Sequence, residues 1–297
     1  MPRSRLNQDV VWRIIRALLW PLLTAALLGG CSMVRLGYGQ LPNLSHWWVD
    51  GYLDLSTPQS EALRADLQAL HSWHRRQELP LLARDLAELR AQAGQDTTAV
   101  QVCQMAERFK ARLEVVLTQA EPAFARLAMS IKPEQLQHLK HQLDKREQTW
   151  RDEWLNAPPA EIQARRLERL VERSESFYGP LTDAQTKLLR AGVMATPYDT
   201  ALAEQESLRR HQDLQHTLRT LAGGTPTLAQ AQDSIRALLV RTLQSPNTSY
   251  RAQIDQLVQA NCDTFAQLHN SASPEQRQKM ATKLKGLEDD ARALMAH

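Results

Sequence analysis

Hydrophobic residues recur along most of this chain with the spacing of an amphipathic α-helix. After Thr57, the residues Leu63, Leu67, Leu70 and Trp73 fall at positions i, i+4, i+7 and i+10, which places them along one helix face. The same spacing returns in the later segments, and no run of alternating β-branched residues indicates a sheet. The pattern therefore predicts an all-α fold.

Proline and glycine divide this pattern into roughly ten helices with short connections. Pro80 and Pro122 are expected to kink or end the helices in which they lie, and Gly179-Pro180 is a clear stop signal. The sequence thus predicts a multi-helix bundle, either as one unit or as two packed bundles with a boundary near residue 180.

Several helix starts share one local pattern, in which a capping residue is followed three positions later by glutamine. Thr182 with Gln185 and Ser273 with Gln276 have the spacing of a capping box, in which side chains and backbone satisfy each other's hydrogen bonds. The starts recur at unequal intervals, so we interpret the pattern as a helix-start sequence more than as a repeat.

The first thirty residues have the organisation of a secretory signal. Residues 1–16 carry four arginines and one aspartate, residues 17–28 carry no charge, and two glycines and a cysteine follow. The uncharged run of twelve residues is shorter than the ~20 that span a bilayer, which argues against a permanent transmembrane helix.

Leu28-Gly29-Gly30-Cys31 resembles the bacterial lipobox. The resemblance implies cleavage between Gly30 and Cys31 and acylation of Cys31, which would anchor the mature protein to a membrane. The alternatives are an ordinary signal peptide that contains a cysteine and a buried apolar helix. Ser32, by resemblance to the enterobacterial sorting rule, implies the outer membrane, with the protein facing the periplasm.

Residues 31–45 are interpreted as a lipidated tether, because Gly37, Gly39 and Pro42 are expected to break any helix. Residues 46–297 then form the helical domain. The segment removed with the signal carries a net charge of +3, which equals that of the whole chain, so the mature protein is formally neutral. A nucleic-acid partner is not expected, because it would need a clustered basic excess.

Two features of the mature chain are candidates for structural or binding roles. Cys103 and Cys262 could form one disulfide in an oxidising compartment or stay as two buried thiols, since the sequence does not place their Cα atoms. Trp47, Trp48 and Tyr52 form an aromatic cluster that suits a membrane-facing or binding surface. We favour the other interpretation, a core anchor where the chain enters the fold.

Three stretches, residues 36–80, 175–189 and 273–294, are similar to an uncharacterised proteobacterial lipoprotein family, known only as a domain of unknown function. The resemblance covers most of the mature chain and implies a helical periplasmic lipoprotein without an assigned activity, cofactor or catalytic residue. Leu181-Thr182-x-x-Gln185 also resembles the LTxxQ motif of small periplasmic stress chaperones, although we interpret this match as a capping box.

Two histidine pairs are candidate metal ligands. His71 with His74 and His138 with His141 lie at i, i+3, so each pair could share a helix face. Neither pair belongs to a HExxH or Glu-x-x-His motif, and the chain has no GxSxG elbow and no glycine-rich phosphate loop. We therefore expect no catalytic residue, no metal site and no cofactor.

These observations favour a periplasmic helical protein, anchored in the outer membrane, that is not an enzyme. It would bind an envelope protein or a lipid, as a scaffold or in a chaperone-like manner. The alternative is a metal-dependent or hydrolytic envelope enzyme that uses the helix-borne histidines.

Overall fold

The computed structural model describes residues 30–196 and 198–295, and these residues form twelve α-helices and no strand. A π-helical turn, Arg151–Leu155, continues the sixth helix. The predicted all-α multi-helix bundle is confirmed, and within the described ranges no helix is long and apolar enough to cross a membrane. The helices are α1 Gly30–Gly39, α2 Leu41–Leu53, α3 Thr57–Gln77, α4 Leu79–Gln92, α5 Ala99–Ser130, α6 Pro133–Trp150, α7 Pro159–Tyr178, α8 Asp183–Ala195, α9 Thr200–Gly223, α10 Leu228–Leu243, α11 Thr248–Asn270 and α12 Pro274–Met295.

Two of the predicted breaks coincide with helix ends. α3 ends at Gln77 and α4 begins at Leu79, so Pro80 lies in the first turn of α4, where its missing N–H would have had no intrahelical partner. α7 ends at Tyr178, and the following Gly179 has a φ of 73°, a left-handed conformation that favours glycine.

The tether predicted over residues 31–45 is wrong as a description of the backbone, because this segment forms α1 and the first part of α2. Pro42 lies in the first turn of α2, where proline is tolerated, and Gly37 and Gly39 lower helix propensity without forbidding a helix. These two N-terminal helices are among the twelve described and were not expected from the proline and glycine positions.

Side-chain contacts hold α1 against the rest of the bundle. The hydroxyl of Tyr38 lies 2.9 Å from Nδ1 of His74, and the Tyr38 ring packs on His71 with 4.5 Å between the ring centroids. On the other side, Nε of Arg35 is 3.0 Å from a carboxylate oxygen of Asp290 in α12. The N-terminal segment is thus a packed part of the domain.

The break predicted at Pro122 is also wrong, because Pro122 lies inside α5. Proline removes one backbone hydrogen bond from a helix interior. Ala120, Ala125 and Ala128 flank it and are buried, so packing against neighbouring helices keeps both halves of α5 in one helix. At 32 residues, α5 is about 48 Å long.

The helices build two main hydrophobic cores. The first core contains residues of α2, α5, α6, α9 and α10, and the second contains residues of α4, α7, α8, α11 and α12. Each core combines residues from before and after residue 180, so the turn at Gly179 does not separate two sequence-contiguous bundles. The first core is the one that carries the candidate site.

Candidate functional site

A cavity of about 520 Å³ lies within the first core. Its volume falls in the range of small-molecule sites, ~300–1,000 Å³, whereas voids left by side-chain packing rarely exceed the size of a water molecule. Six helices form the wall: α2, α3, α5, α6, α9 and α10. Most lining residues are apolar, among them Val49, Leu53, Leu63, Leu67, Phe124, Leu127, Ile131, Leu139, Leu143, Leu214, Leu218, Ile235 and Leu239.

The helical repeat explains how two helices present one continuous strip of residues to the cavity. On α6, Leu139, Leu143 and Arg146 fall at i, i+4 and i+7, and all three line the cavity. On α9, His211 and Leu214 lie three residues apart and also line it. Each strip therefore changes from apolar to polar along the helix axis.

Three polar residues of the lining, Tyr52, Arg146 and His211, lie close together at the mouth of the cavity. Nη1 of Arg146 donates a hydrogen bond to the hydroxyl of Tyr52 at 3.2 Å, and the Tyr52 ring packs on Trp48 with 4.8 Å between the ring centroids. Arg146 is exposed and Trp48 is 54 % exposed, so the cavity opens to solvent here. Arg210 and His211 complete this side of the lining.

A buried carboxylate holds the Arg210 side chain in place. Nε of Arg210 donates to Oε1 of Glu206 at 2.7 Å, and Glu206 is only 1 % exposed. Burial raises the pKa of Glu206, but hydrogen bonds from Arg209, Ser245 and Arg210 outweigh it and hold that pKa at about 2. Glu206 is therefore ionised at neutral pH and fixes the position of the Arg210 guanidinium.

His211 is a further polar residue of the lining. Burial lowers its pKa, and the nearby charge of Arg146 lowers it further, while Glu147, at 3.8 Å, acts in the opposite direction. The imidazole is therefore neutral at pH 7, since the lowered pKa lies below the ordinary value near 6.5. Glu147 and Glu206 lie behind the lining, and within the described ranges no aspartate or glutamate lines the cavity.

The aromatic cluster predicted from the sequence lies at this mouth. The core-anchor interpretation is wrong for the two tryptophans, because Trp47 is 72 % exposed and Trp48 is 54 % exposed, whereas Tyr52 packs against the first core. Trp48 and Tyr52 line the cavity, whereas Trp47 does not. Tyr52 is half-buried, and it contacts Trp48 through its ring and Arg146 through its hydroxyl.

Cys103 and Cys262 form a disulfide that joins α5 to α11, with 5.5 Å between the Cα atoms. Cys262 is buried and Cys103 is partly exposed. Neither residue lines the cavity. The bond therefore cross-links the bundle without contributing a group to the candidate site.

The two histidine pairs contact protein groups. Nε2 of His71 is 3.1 Å from the carbonyl oxygen of Tyr38, and Nε2 of His138 is 3.2 Å from that of Gly51. His141, the partner of His138 in sequence, is exposed. In the part of the chain that the structure describes, no group of three or more His, Cys, Asp or Glu side chains is placed to hold a metal ion.

The predicted capping boxes at Thr182 and Ser273 are confirmed, and their two glutamines also form hydrogen bonds with each other. Nε2 of Gln185 lies 2.8 Å from Oε1 of Gln276, and Nε2 of Gln276 lies 3.0 Å from Oε1 of Gln185. A second pair in the first core repeats this arrangement at 3.0 and 2.9 Å. That pair is Gln59, at the start of α3, with Gln135, at the start of α6.

The LTxxQ-like segment at Leu181–Gln185 is therefore one half of a buried junction between α8 and α12. The sequence showed each helix start separately, and only the fold brings the two starts together.

Cleavage after Gly30 and lipidation of Cys31 stay predictions, because the preceding residues and the Cys31 side chain lie outside the described part of the structure.

The cavity itself was not predicted from the sequence. One signal was present: Arg146 and His211 occupy positions of apolar helix stripes, where a leucine would be expected from the period. A charged or polar residue on such a stripe indicates either a local hydrogen-bond partner or a site. The tertiary structure shows that both residues reach the same cavity.

Residues 51–251, about two thirds of the chain, match the model of a family of unknown function, DUF6279. The chain belongs to this family, which agrees with the resemblance to an uncharacterised domain family. The matched region contains most of the cavity wall and begins just after Trp48. No curated protein and no solved structure matches the chain.

Proposed function

We propose that this protein is a non-catalytic binding protein of the bacterial envelope, lipid-anchored at Cys31, that holds an apolar ligand in the cavity of its first core. The observation that carries the proposal is the cavity of about 520 Å³ with a predominantly leucine-lined wall. An apolar ligand that covers the remaining apolar surface of this wall would be stabilised by ~25 cal/mol per Å² of surface removed from water.

The location in the envelope is supported by two independent features. The charged, apolar and small-residue zones before Cys31 are typical of a lipoprotein signal that ends in a lipobox. The disulfide between Cys103 and Cys262 is typical of proteins that fold outside the reducing cytosol. Ser32 after the acylated residue favours the outer membrane.

The ligand is tested by purifying the full-length lipoprotein from membranes and extracting it with organic solvent for lipid mass spectrometry. We expect a co-purifying apolar molecule in stoichiometric amount in the wild type. Leu214→Trp fills the cavity and should lower that amount at least about tenfold, because the indole occupies the space of the ligand.

The matched control is Leu208→Trp on the same helix. Leu208 is 38 % exposed and does not line the cavity, so this substitution should leave the bound amount unchanged. Thermal unfolding of both variants checks that they fold. A wild-type protein without any extractable ligand, or an equal ligand content in both variants, would contradict the proposal.

The anchor is tested by labelling cells with radioactive palmitate and separating their membranes on a sucrose gradient. We expect the label on the wild-type protein in the outer-membrane fraction and none on Cys31→Ala. Label on the Cys31→Ala protein, or an unlabelled wild type, would show that the N-terminal segment is an ordinary signal peptide.

A further inference from the structure

The polar and apolar residues of the cavity are separated along its length. On α6, the exposed Arg146 is followed inward by Leu143 and Leu139, which are buried, over a rise of about 10 Å. On α9, His211 is followed in the same way by Leu214. The cavity thus has a polar mouth and an apolar interior, which is the polarity profile of an amphiphile.

The mouth is cationic. Arg146 and Arg210 are the charged residues of the lining among the described residues, and both are arginines. Glu206 compensates part of the Arg210 charge from behind, but it also gives the Arg210 guanidinium a fixed orientation. Within residues 30–196 and 198–295 no carboxylate forms an ion pair with Arg146, which donates a hydrogen bond to the neutral Tyr52 hydroxyl. An arginine held in this way binds carboxylates and phosphates well, because its planar donors match their oxygens.

The size of the cavity limits the apolar part of the ligand. At ~30 Å³ for each water-sized group, a volume of about 520 Å³ holds roughly 17 such groups. That is the size of one acyl chain with a small head group. The aromatic rings of Trp48 and Tyr52 at the mouth suit the boundary between chain and head group, since such rings combine an apolar body with a polar tip.

From these observations we propose that the ligand is a single-chain anionic amphiphile, with its carboxylate or phosphate at Arg146 and Arg210 and its chain between α6 and α9. This inference rests on the proposed function, because it names the ligand class of the same cavity. A long-chain fatty acid and a lysophosphatidic acid share this chemistry, and they differ in the head group that the arginines contact.

The test uses photocrosslinking of the full-length lipoprotein, purified in a mild detergent. Three probes carry a diazirine at the same carbon of a hexadecyl chain: palmitic acid, hexadecanol and lysophosphatidic acid. Peptide mapping locates the crosslinks. We expect palmitic acid, lysophosphatidic acid or both to label peptides of α6 and α9 at least about tenfold more than hexadecanol does, the size of effect given by a charge-assisted hydrogen bond.

Arg146→Glu should lower labelling by the anionic probes about tenfold and leave labelling by hexadecanol unchanged, because only the head-group contact is lost. Arg146→Lys should retain most of the labelling. The matched control is Lys145→Glu, which makes the same charge reversal at an adjacent exposed position that does not line the cavity. This control should behave as the wild type does.

The outcomes separate the two proposals. If the stronger anionic label is palmitic acid, the head group is a carboxylate, and if it is lysophosphatidic acid, the head group is a phosphate. Equal labelling by hexadecanol would overturn the anionic head group while leaving an apolar ligand in place. Labelling of α6 and α9 by none of the probes would overturn both the ligand class and the proposed function.

Discussion

Replacement of Glu206 by glutamine tests the electrostatic arrangement that orients Arg210. Oε1 of Glu206 accepts hydrogen bonds from Arg209 and Arg210 at 2.8 and 2.7 Å, and Oε2 accepts from Ser245 at 2.7 Å. Glutamine keeps the size of the side chain, but it removes the charge and points an N–H donor at the arginine donors. Breaking a buried ion pair in this way costs about 3–5 kcal/mol of the free energy of unfolding.

The pH dependence of stability gives a second, independent value for the contribution of Glu206 to the free energy of unfolding. The pKa of Glu206 is about 2 in the folded protein and near 4.5 when the chain is unfolded. Because the folded value is the lower one, ionisation of Glu206 stabilises the fold fully above pH 4.5, and this stabilisation is lost as the pH falls towards 2. At ~1.4 kcal/mol for each pH unit between the two values, the contribution is about 3 kcal/mol.

The assay is urea denaturation, followed by circular dichroism, at pH values from 2 to 7. The difference in free energy of unfolding between wild type and Glu206→Gln cancels the titration of all other acids. That difference should shrink by about 3 kcal/mol between pH 5 and pH 2. The control Glu161→Gln removes an exposed i,i+4 pair with Arg165 and should cost less than about 1 kcal/mol. A Glu206→Gln difference that stays constant across this pH range would refute the reasoning.

Three further predictions concern the framework of the domain. Replacing Cys103 and Cys262 together by alanine removes a cross-link across 159 residues, and it should lower the free energy of unfolding by up to about 5 kcal/mol in the chain-entropy model; an unchanged melting temperature would contradict this. Gln135→Ala removes the donor to the backbone carbonyls of Leu53 and Asp54 and one of the donors to Gln59, so denaturation should show a loss of about 3 kcal/mol, against about 1 for the exposed capping-box control Gln230→Ala. Gly192→Ala places a methyl group against the Thr264 side chain on α11 and should lower the free energy of unfolding by about 1–3 kcal/mol. Adding Thr264→Ala, which removes the clashing atoms, should restore this stability.

The sequence predicted local structure well where a residue acts on its own backbone. Pro80 and Gly179 mark helix ends because the missing N–H and the left-handed φ are properties of those residues alone. Thr182 and Gln185 predicted a capping box for the same reason, since both partners belong to one turn.

The same local rules gave wrong results where tertiary packing determines the backbone conformation. Pro122 lies within an unbroken helix because buried alanines on both sides hold α5 against its neighbours. The segment 31–45 is helical although it contains two glycines and a proline, because Tyr38 and its neighbours pack on α3 and α12. The exposure of Trp47 and Trp48 follows from the direction in which α2 crosses the bundle, which composition does not specify.

By itself, the sequence determined the helical class, most helix boundaries and the balanced charge of residues 31–297. These follow from periodicity, capping and composition, which are properties of short segments. The tertiary structure alone decided that Gln59 meets Gln135, that Cys103 meets Cys262, and that Arg146 and Arg210 meet at one cavity. These partners lie about 64 to 159 positions apart, and only the packing of helix on helix brings residues at such separations together.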